Sequence, residues 1–341
     1  MLSMEELIHI YQCRSTHVDM NKYNTLEKQG LVNIKKHPDY PLLLLNYTPR
    51  AQYKSRWCHE FIHARGLVIS QDGEIVARPL PKFFNHYEIK GELEEEDFEL
   101  YDKMDGSLVI MFHYKKDRIF CTRGSFTSKQ AAKAQDLYGQ KYNDAFVMKE
   151  CTYCFEVIYP ENKIVVDYGN VEDLFLISIT HTQTGKEVNI DARQFKTVSK
   201  INTSENSIQN LLNYNLPNKE GYVVKYKNGF RIKLKFDNYI SKHRSKTLSA
   251  NAIKRSIQKM EQINLENVPD ECYEEVKQIQ SELEEQFKCK KQKLEKEYED
   301  IVKKSNNSRD VVEAIKQSEH SSIVFAIHRC KPYDKMIWKV L

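Results

Sequence analysis

The sequence has no apolar run long enough to span a membrane, and its run of leucines, Leu42 to Leu45, is far too short. It also has no strong charge bias, because a formal net charge of +4 permits a nucleic-acid partner without arguing for one. Its first residues, MLSMEELIHIYQ, are typical of the acidic start of an amphipathic helix and not of a signal peptide. These absences favour a soluble, cytoplasmic protein.

The cysteines lack the spacing of a disulfide or zinc framework. All eight are best interpreted as free thiols in a reducing compartment. Cys151 and Cys154 form a CxxC, but no second CxxC or histidine pair completes a zinc site, and their segment has the composition of a strand. His59 and His63 have helical i,i+4 spacing, with Cys58 as one further candidate metal ligand. We expect structural roles for all five residues.

Glycine is missing after residue 245, where Glu and Lys dominate and apolar residues recur at three-, four- or seven-residue spacing from Val276 onward. This pattern predicts helices, and the 341 residues of the chain leave room for two domains. We therefore predict a first domain of residues 1–245 and an all-α C-terminal domain of residues 246–341. Within the latter, Asp270-Glu271 follows a proline and is typical of a solvated helix start.

The first domain has a different pattern, because short strand-like runs alternate with turns. Many short strands broken by tight turns indicate an α+β domain built of largely antiparallel sheets. The runs that we predict as strands are 66–69, 107–112, 119–122, 153–158, 163–166, 174–179, 222–226 and 230–236.

Lys103 lies at the start of one of these strands, in the segment Lys103-Met-Asp-Gly-Ser, next to a tight acidic turn. This arrangement suits a lysine that acts as a nucleophile. A free lysine has a pKa of about 10.4 and is a poor nucleophile at neutral pH, but nearby cations can lower that pKa. A lysine nucleophile therefore predicts other cations in the same pocket.

Suitable cations occur near the end of the domain, in a hairpin whose first strand follows Glu220. Asn228-Gly229 between its two strands is a strong type I′ turn signal. Glu220 could hold a divalent metal and the cations could hold phosphate oxygens, although an edge strand with protective lysines is the alternative. The return strand alternates, so its cations share one face: Arg231, Lys233 and Lys235.

Four motifs follow one another in the chain: Lys103-Met-Asp-Gly, Phe155-Glu156, Glu220-Gly and Lys233-Leu-Lys235. In this order they resemble the covalent nucleotidyltransferases, the superfamily of ATP-dependent ligases and mRNA-capping enzymes. Within that superfamily the chain resembles the bacteriophage RNA ligase 1 class, which reseals broken tRNA anticodon loops. The further segments that carry this resemblance are 64–68, 78–85, 122–125, 159–166 and 336–339.

The resemblance implies that Lys103 attacks the α-phosphate of ATP, carries AMP and passes it to an RNA 5′-phosphate, from which a 3′-hydroxyl displaces it. ATP and Mg²⁺ (or Mn²⁺) are the implied cofactors, with Glu220 and Glu156 as metal ligands. The residues implied to contact the nucleotide are Tyr47, Arg65, Lys82, Asp105, Gly106, Arg123, Glu156, Ile177, Lys233 and Lys235.

Some positions depart from the family pattern. Arg123 stands where the family has lysine and Lys163 where arginine is usual, and these two cations do not make equivalent contacts. For the adenine-stacking position, Phe175 and Ile177 share one face of a predicted strand, and Phe175 is more typical of the core.

The implied fold is a nucleotidyltransferase domain, an ATP-grasp-like ligase core, followed by the all-α domain. The implied partner is RNA, in particular tRNA with a broken anticodon loop, after an end-healing kinase/phosphatase in a bacterial or virus-infected cytoplasm. The alternatives are a capping guanylyltransferase or DNA ligase, which usually carry a β-barrel OB domain, and a non-catalytic RNA-binding protein. We expect the C-terminal helices to select the RNA through basic positions such as Lys288, Lys290, Lys291 and Lys293.

Overall fold

The computed structural model describes residues 2–12, 15–54, 57–91, 93, 97–188, 194–205, 207–247, 255–257 and 273–341. The chain forms two compact units, Met1–His243 and Arg244–Leu341. The predicted helix start at Asp270-Glu271 lies outside the described residues. In the part that is described, none of the helices combines the length and the apolarity needed to cross a membrane.

The elements of both units are numbered here in chain order. The strands are β1 (Val32–Lys36), β2 (Leu42–Tyr47), β3 (Arg65–Ser70), β4 (Ile75–Ala77), β5 (Phe84–Asn85), β6 (Phe98–Asp102), β7 (Ser107–Tyr114), β8 (Asp117–Thr122), β9 (Cys151–Ile158), β10 (Asp173–His181), β11 (Lys196–Thr197), β12 (Lys200–Ile201), β13 (Gly221–Tyr226) and β14 (Arg231–Lys235). The helices are α1 (Met4–Gln12), α2 (Met20–Lys28), α3 (Pro49–Tyr53), α4 (His59–His63), α5 (Lys129–Lys141), α6 (Ile208–Leu212), α7 (Asp237–Thr247), α8 (Tyr273–Lys304), α9 (Ser308–Lys316), α10 (Ser321–His328) and α11 (Asp334–Val340).

The strands of the first unit form sheets in the orders β1-β2-β3-β4, β11-β10-β9-β7-β8 and β12-β6-β13-β14-β5. Neighbouring strands are antiparallel except for two short parallel pairs, β10 with β11 and β14 with β5. This architecture confirms the prediction of an α+β domain with largely antiparallel sheets.

The burial of the apolar residues of each strand explains why the sheets form where they do. On β14, Ile232 and Leu234 are fully buried in a cluster with Leu7 of α1, so the alternate residues of this strand must lie on its other face. Against the sheet of β9 and β10 packs α5, whose first turn is capped by the Ser128 hydroxyl. One five-stranded sheet thus packs against α1 and the other against α5, and a cleft lies between the two sheets.

Two local predictions are wrong, and both errors have a physical reason. Residues 163–166 are not a strand, because the N–H groups of Val165 and Val166 donate to the Asp105 carboxylate and not to a neighbouring strand. The turn at Asn228-Gly229 is not type I′, which needs a positive φ at both central residues. Only Gly229 has one, at 85°, and Gly229 N–H donates to Tyr226 O, as in a three-residue loop with a glycine bulge.

The second unit confirms the predicted helical character of the C-terminal region. The long helix α8 carries Leu294, which is buried with Ile315, Ile323 and Ile337 of the three helices that follow. The ring of Trp338 stacks on Phe287 of α8, with ring centroids 4.5 Å apart. This unit therefore has a core of its own.

Candidate active site

The turn between β6 and β7 holds Lys103 by its backbone. Lys103 N–H donates to Gly221 O (3.0 Å), and Gly106 N–H donates to Glu156 Oε1 (3.0 Å). A Cβ atom on Gly106 would lie 2.5 Å from Val157 O and 2.5 Å from Ile158 Cδ1. Only glycine fits there, so this residue lets the turn approach β9 closely.

Asp105 fixes the same turn from inside the protein. Its buried carboxylate accepts hydrogen bonds from Val165 and Val166 N–H (2.8 Å each) and from the Tyr239 hydroxyl (2.7 Å). Its own N–H donates to the Tyr168 hydroxyl (2.8 Å). The carboxylate thus contacts protein groups and does not line the cleft, in contrast to the flanking Lys103 and Gly106.

The side chain of Lys103 meets the hairpin of β13 and β14. Its Nζ lies 2.8 Å from Glu220 Oε1, and Lys235 Nζ lies 3.4 Å from the same oxygen. Gly221, the residue after this glutamate, has φ of 148° and would place a Cβ 1.9 Å from Leu234 O. Glycine is therefore required for the glutamate to sit beside the end of β14, where one carboxylate holds two ammonium groups together.

Glu156, on β9, supplies the second carboxylate of the site. Burial raises the pKa of its carboxyl to about 7; Lys103 opposes this rise and Glu220 adds to it. The carboxyl therefore changes its charge near neutral pH, in contact with the turn that holds the lysine.

A cleft of about 590 Å³ opens from Lys103 between the two five-stranded sheets. Arg65 at the start of β3 lines this cleft, and its guanidinium lies 5.7 Å from the centre of the Phe83 ring. Lys233 Nζ lies 5.2 Å from the same ring centre, so two cations flank one aromatic side chain. The cleft is also lined by apolar side chains from both sheets, including Leu108, Ile177 and Val223.

Ile177 and Phe175 have different surroundings in the structure. The register of β10 against β9 shifts between Leu176 and Ser178, which is a bulge at Ile177. Ile177 lines the cleft, whereas the Phe175 ring lies 5.9 Å from Lys196 Nζ and does not line it. A strict alternation along the strand gives both residues the same face and misses this difference.

Three of the residues implied by the resemblance lie outside the cleft lining and form a cluster with Trp57, whose ring packs edge-on against the Tyr47 ring with centroids 5.2 Å apart. Arg123 lies over the Tyr47 ring, 5.3 Å from its centre, and donates to the Tyr47 hydroxyl (3.1 Å). Lys82 is buried, with its Nζ 5.2 Å from the Trp57 ring centre and 4.0 Å from Glu88 Oε1.

Of the predicted site residues, the structure brings six to the cleft: Lys103, Gly106, Glu156, Ile177, Arg65 and Lys233. Glu220 and Lys235 lie against Lys103.

The sequence analysis did not predict a group of charged side chains that links the two five-stranded sheets. Glu187, after β10, lies 2.9 Å from Lys225 Nζ on β13 and also pairs with Arg231 on β14. At the other end of the cleft, Asp102 accepts two hydrogen bonds from Lys219 Nζ (2.6 and 2.8 Å). Glu187 belongs to no motif, and only the fold places it opposite these cations.

A divalent metal has two candidate protein ligands here, Glu220 and Glu156. Among the described residues, no group of three or more His, Cys, Asp or Glu side chains could enclose a metal ion by itself. Mg²⁺ is usually held by one or two carboxylates together with water and substrate phosphates, so the two glutamates fit an ion that arrives with a nucleotide.

The other candidate metal ligands are buried in a strand or link two helices. Cys151 and Cys154 are buried within β9. The rings of His59 and His63 are 4.4 Å apart on α4, and His63 Nε2 lies 3.1 Å from Ile10 O. His63 therefore links α4 to α1.

Together, the lysine turn, the Glu220 hairpin and the cleft between two largely antiparallel sheets define a nucleotidyltransferase of the RNA ligase 1 type. The RNA ligase family model matches residues 63–239, just over half of the 341 residues. The chain belongs to this RNA ligase family, which confirms the resemblance drawn from the motifs.

Individual relatives are distant. A protein of Autographa californica nuclear polyhedrosis virus, described as a bifunctional polynucleotide kinase/RNA ligase, is 26% identical over 255 residues, which cover 65% of this chain and 36% of that protein. The chain therefore spans about a third of the length of this curated relative.

Solved structures with similar folds include three ligases. An archaeal ATP-dependent RNA ligase is 13% identical (TM-score 0.49, covering 95% of this chain and 89% of that one). A protein of Aquifex aeolicus described as an ATP-dependent DNA ligase is 17% identical (TM-score 0.47, covering 89% of each chain). A Naegleria gruberi RNA ligase solved with AMP and Mn is 18% identical (TM-score 0.37, covering 43% of this chain and 52% of that one).

Proposed function

We propose that this protein is an ATP-dependent RNA ligase that joins RNA 3′-hydroxyl and 5′-phosphate ends through lysyl-AMP and RNA-adenylate intermediates. The observation that carries the proposal is the position of Lys103, whose amine faces a nucleotide-sized cleft while Glu220 Oε1 lies 2.8 Å from it. Family membership supports the same reaction.

In the first step, Lys103 Nζ attacks the α-phosphorus of ATP. An N–P bond forms, the bond from the α-phosphorus to the bridging oxygen breaks, and pyrophosphate leaves. The amine must first lose a proton, and Glu220 Oε1 is an acceptor within hydrogen-bond distance. Lys235, which shares that carboxylate, neutralises charge on the phosphates in this proposal, and Lys233 and Arg65 extend this role along the cleft.

In the second step, an oxygen of the RNA 5′-phosphate attacks the same phosphorus and the N–P bond to Lys103 breaks. In the third step, a 3′-hydroxyl loses its proton and attacks the 5′-phosphorus of the RNA, a phosphodiester bond forms, the bond from that phosphorus to the oxygen bridging it to AMP breaks, and AMP leaves. Both transfers depend mainly on positioning, which the fixed backbone of the 103–106 turn supplies, and on charge neutralisation, which the cations of the cleft supply.

ATP and a divalent metal are the proposed cofactors. The Naegleria gruberi RNA ligase structures contain AMP or ATP together with Mn, which supports this choice. In this chain Glu220 and Glu156 would hold the ion, either Mg²⁺ or Mn²⁺, which would supply positive charge to the phosphate oxygens. We propose that Tyr47, Lys82 and Arg123 complete the nucleotide contacts next to the cleft.

We further propose that the RNA is a tRNA with a broken anticodon loop whose ends a kinase/phosphatase has first repaired. The viral relative that is described as both kinase and ligase supports a link between end repair and sealing.

The test uses ATP or GTP labelled at the α-phosphate, with magnesium, followed by a denaturing gel. We expect label on the wild-type protein from ATP, none on Lys103→Ala, and normal labelling of Lys36→Ala, which removes an exposed lysine of β1. Label from GTP alone would favour a capping enzyme, and no label from either nucleotide would favour a non-catalytic RNA-binding protein. Sealing of nicked DNA but not of RNA would identify a DNA ligase.

A further inference from the structure

A second cavity, of about 530 Å³, adjoins the far end of the cleft. The two cavities share the lining residues Leu80, Glu187, Lys225 and Arg231, so they meet at these four residues. We call this second cavity the basic groove. Its other cations are Arg78, Lys186 and Lys227, and Glu187 is the one carboxylate among the lining residues that the structure describes.

The strand register gives the distance between the basic groove and the nucleophile. Along β13 and β14, Gly221 is opposite Lys235 beside Lys103, and four residues further Lys225 is opposite Arg231. An antiparallel strand rises about 3.4 Å per residue, so the groove begins about 14 Å from the lysine. A chain that occupies the groove can therefore present its end to Lys103, whereas a single nucleotide bound at the lysine does not fill both cavities.

The polar groups of the groove suit a sugar–phosphate chain. Lys186 is exposed, and Lys227 makes an ion pair with Asp97 in which both side chains are 75% exposed. Such exposed pairs contribute little, so a phosphate can replace Asp97 at small cost. Thr180 lines the groove floor, and its buried hydroxyl has no hydrogen-bond partner within the described residues. Phosphate contacts of this kind position a strand without reading its sequence.

We propose that the basic groove binds the backbone of the RNA strand whose 5′-phosphate is activated at Lys103. The proposal rests on the ligase function proposed above and adds the place where this substrate lies. Lys186 and Lys227 contact its phosphates, and the junction at Lys225 and Arg231 directs its end into the cleft.

The test measures binding of a fluorescent, 5′-phosphorylated single-stranded RNA to the full chain without ATP, over a range of salt concentrations. The double variant Lys186→Ala/Lys227→Ala is compared with Lys35→Ala/Lys36→Ala, which removes the same charge from exposed positions of β1. We expect the groove variant to bind RNA about tenfold more weakly at low salt, with the slope of log K against log salt reduced by about 1.4 for two lost phosphate contacts. Lysyl-AMP formation and the KM for ATP should not change.

Equal RNA affinity and salt slope in the two double variants would overturn the proposal. A raised KM for ATP with unchanged RNA binding would also overturn it, because the groove would then serve the triphosphate. Failure of the ligase function itself has a different signature, the absence of lysyl-AMP in the wild-type protein.

Discussion

Gly106 positions the nucleophile because it has no side chain. Its N–H contacts Glu156, and the space that a Cβ would need is filled by Val157 O and Ile158 Cδ1 at 2.5 Å. A backbone oxygen cannot move aside as a flexible side chain can, so any larger residue must displace the turn that carries Lys103.

We predict that Gly106→Ala destabilises the protein by about 1–3 kcal/mol and lowers the rate of lysyl-AMP formation by at least about tenfold. The matched control is Gly139→Ala on α5, where an added Cβ meets no atom within 4 Å. This change should stabilise by up to about 1 kcal/mol and leave the rate unchanged. Thermal unfolding and α-label incorporation measure both effects; equal behaviour of the two variants would contradict the account.

At the scale of single elements, Asp173 at the start of β10 links this strand to the end of α5 and to β11. Its buried carboxylate accepts hydrogen bonds from the Tyr142 hydroxyl (2.6 Å) and from Lys141 Nζ (3.1 Å), and it lies 2.7 Å from Lys196 Nζ on β11. Burial opposes its ionisation, but the hydrogen bonds from Lys196 and Tyr142 outweigh burial and lower its pKa. The helix α5 and the strand β11 are thus fixed to the sheet that carries Glu156.

We predict that Asp173→Asn costs about 2–3 kcal/mol of stability, because it removes the charge that three partners share. The folded protein lowers the pKa of this carboxyl, so its contribution is fully present above the ordinary pKa of 3.8 and is lost as pH falls below it. Chemical unfolding at pH 7 and at pH 3 checks the sign. The gap between wild type and variant should narrow in acid, and a gap that widens there would refute this assignment.

Sequence patterns predicted the elements better than the contacts between them. The strands around Lys103, Glu156 and Glu220 could be predicted, because alternation and turn residues are local signals. The segment 163–166 could not, because the Asp105 carboxylate, about sixty residues away in the chain, takes its N–H groups. The bulge at Ile177 and the pairing of Glu187 with two cations likewise depend on how whole sheets meet.

At the scale of the whole molecule, each of the two units has its own core, and the residues described above around Lys103 belong to the first. We propose that residues 246–341 select the RNA. Of its proposed basic positions on α8, Lys288 and Lys293 are exposed, whereas Lys291 lies 3.0 Å from Asp334 Oδ1 and is partly buried. The exposed pair is therefore the better candidate for contact with tRNA.

We predict that a chain ending at Thr247, the end of α7, still forms lysyl-AMP at a rate within about threefold of wild type but seals a nicked tRNA poorly. The full-length variant Lys288→Ala/Lys293→Ala should lose part of the same sealing activity, because each lysine that leaves a phosphate weakens RNA binding. Sealing rates of nicked tRNA by the truncated chain that equal those of wild type would refute the proposed role of the C-terminal unit.

The most direct measurement of the central claim is the position of the covalent AMP. The protein is incubated with ATP and magnesium without RNA, digested, and its peptides are examined by mass spectrometry. We expect one AMP on Lys103, no adduct on the Lys103→Ala variant, and loss of the adduct when pyrophosphate is added back to the wild-type protein. An adduct on another lysine, or a protein that binds ATP without forming one, would contradict the assignment of Lys103 as the nucleophile.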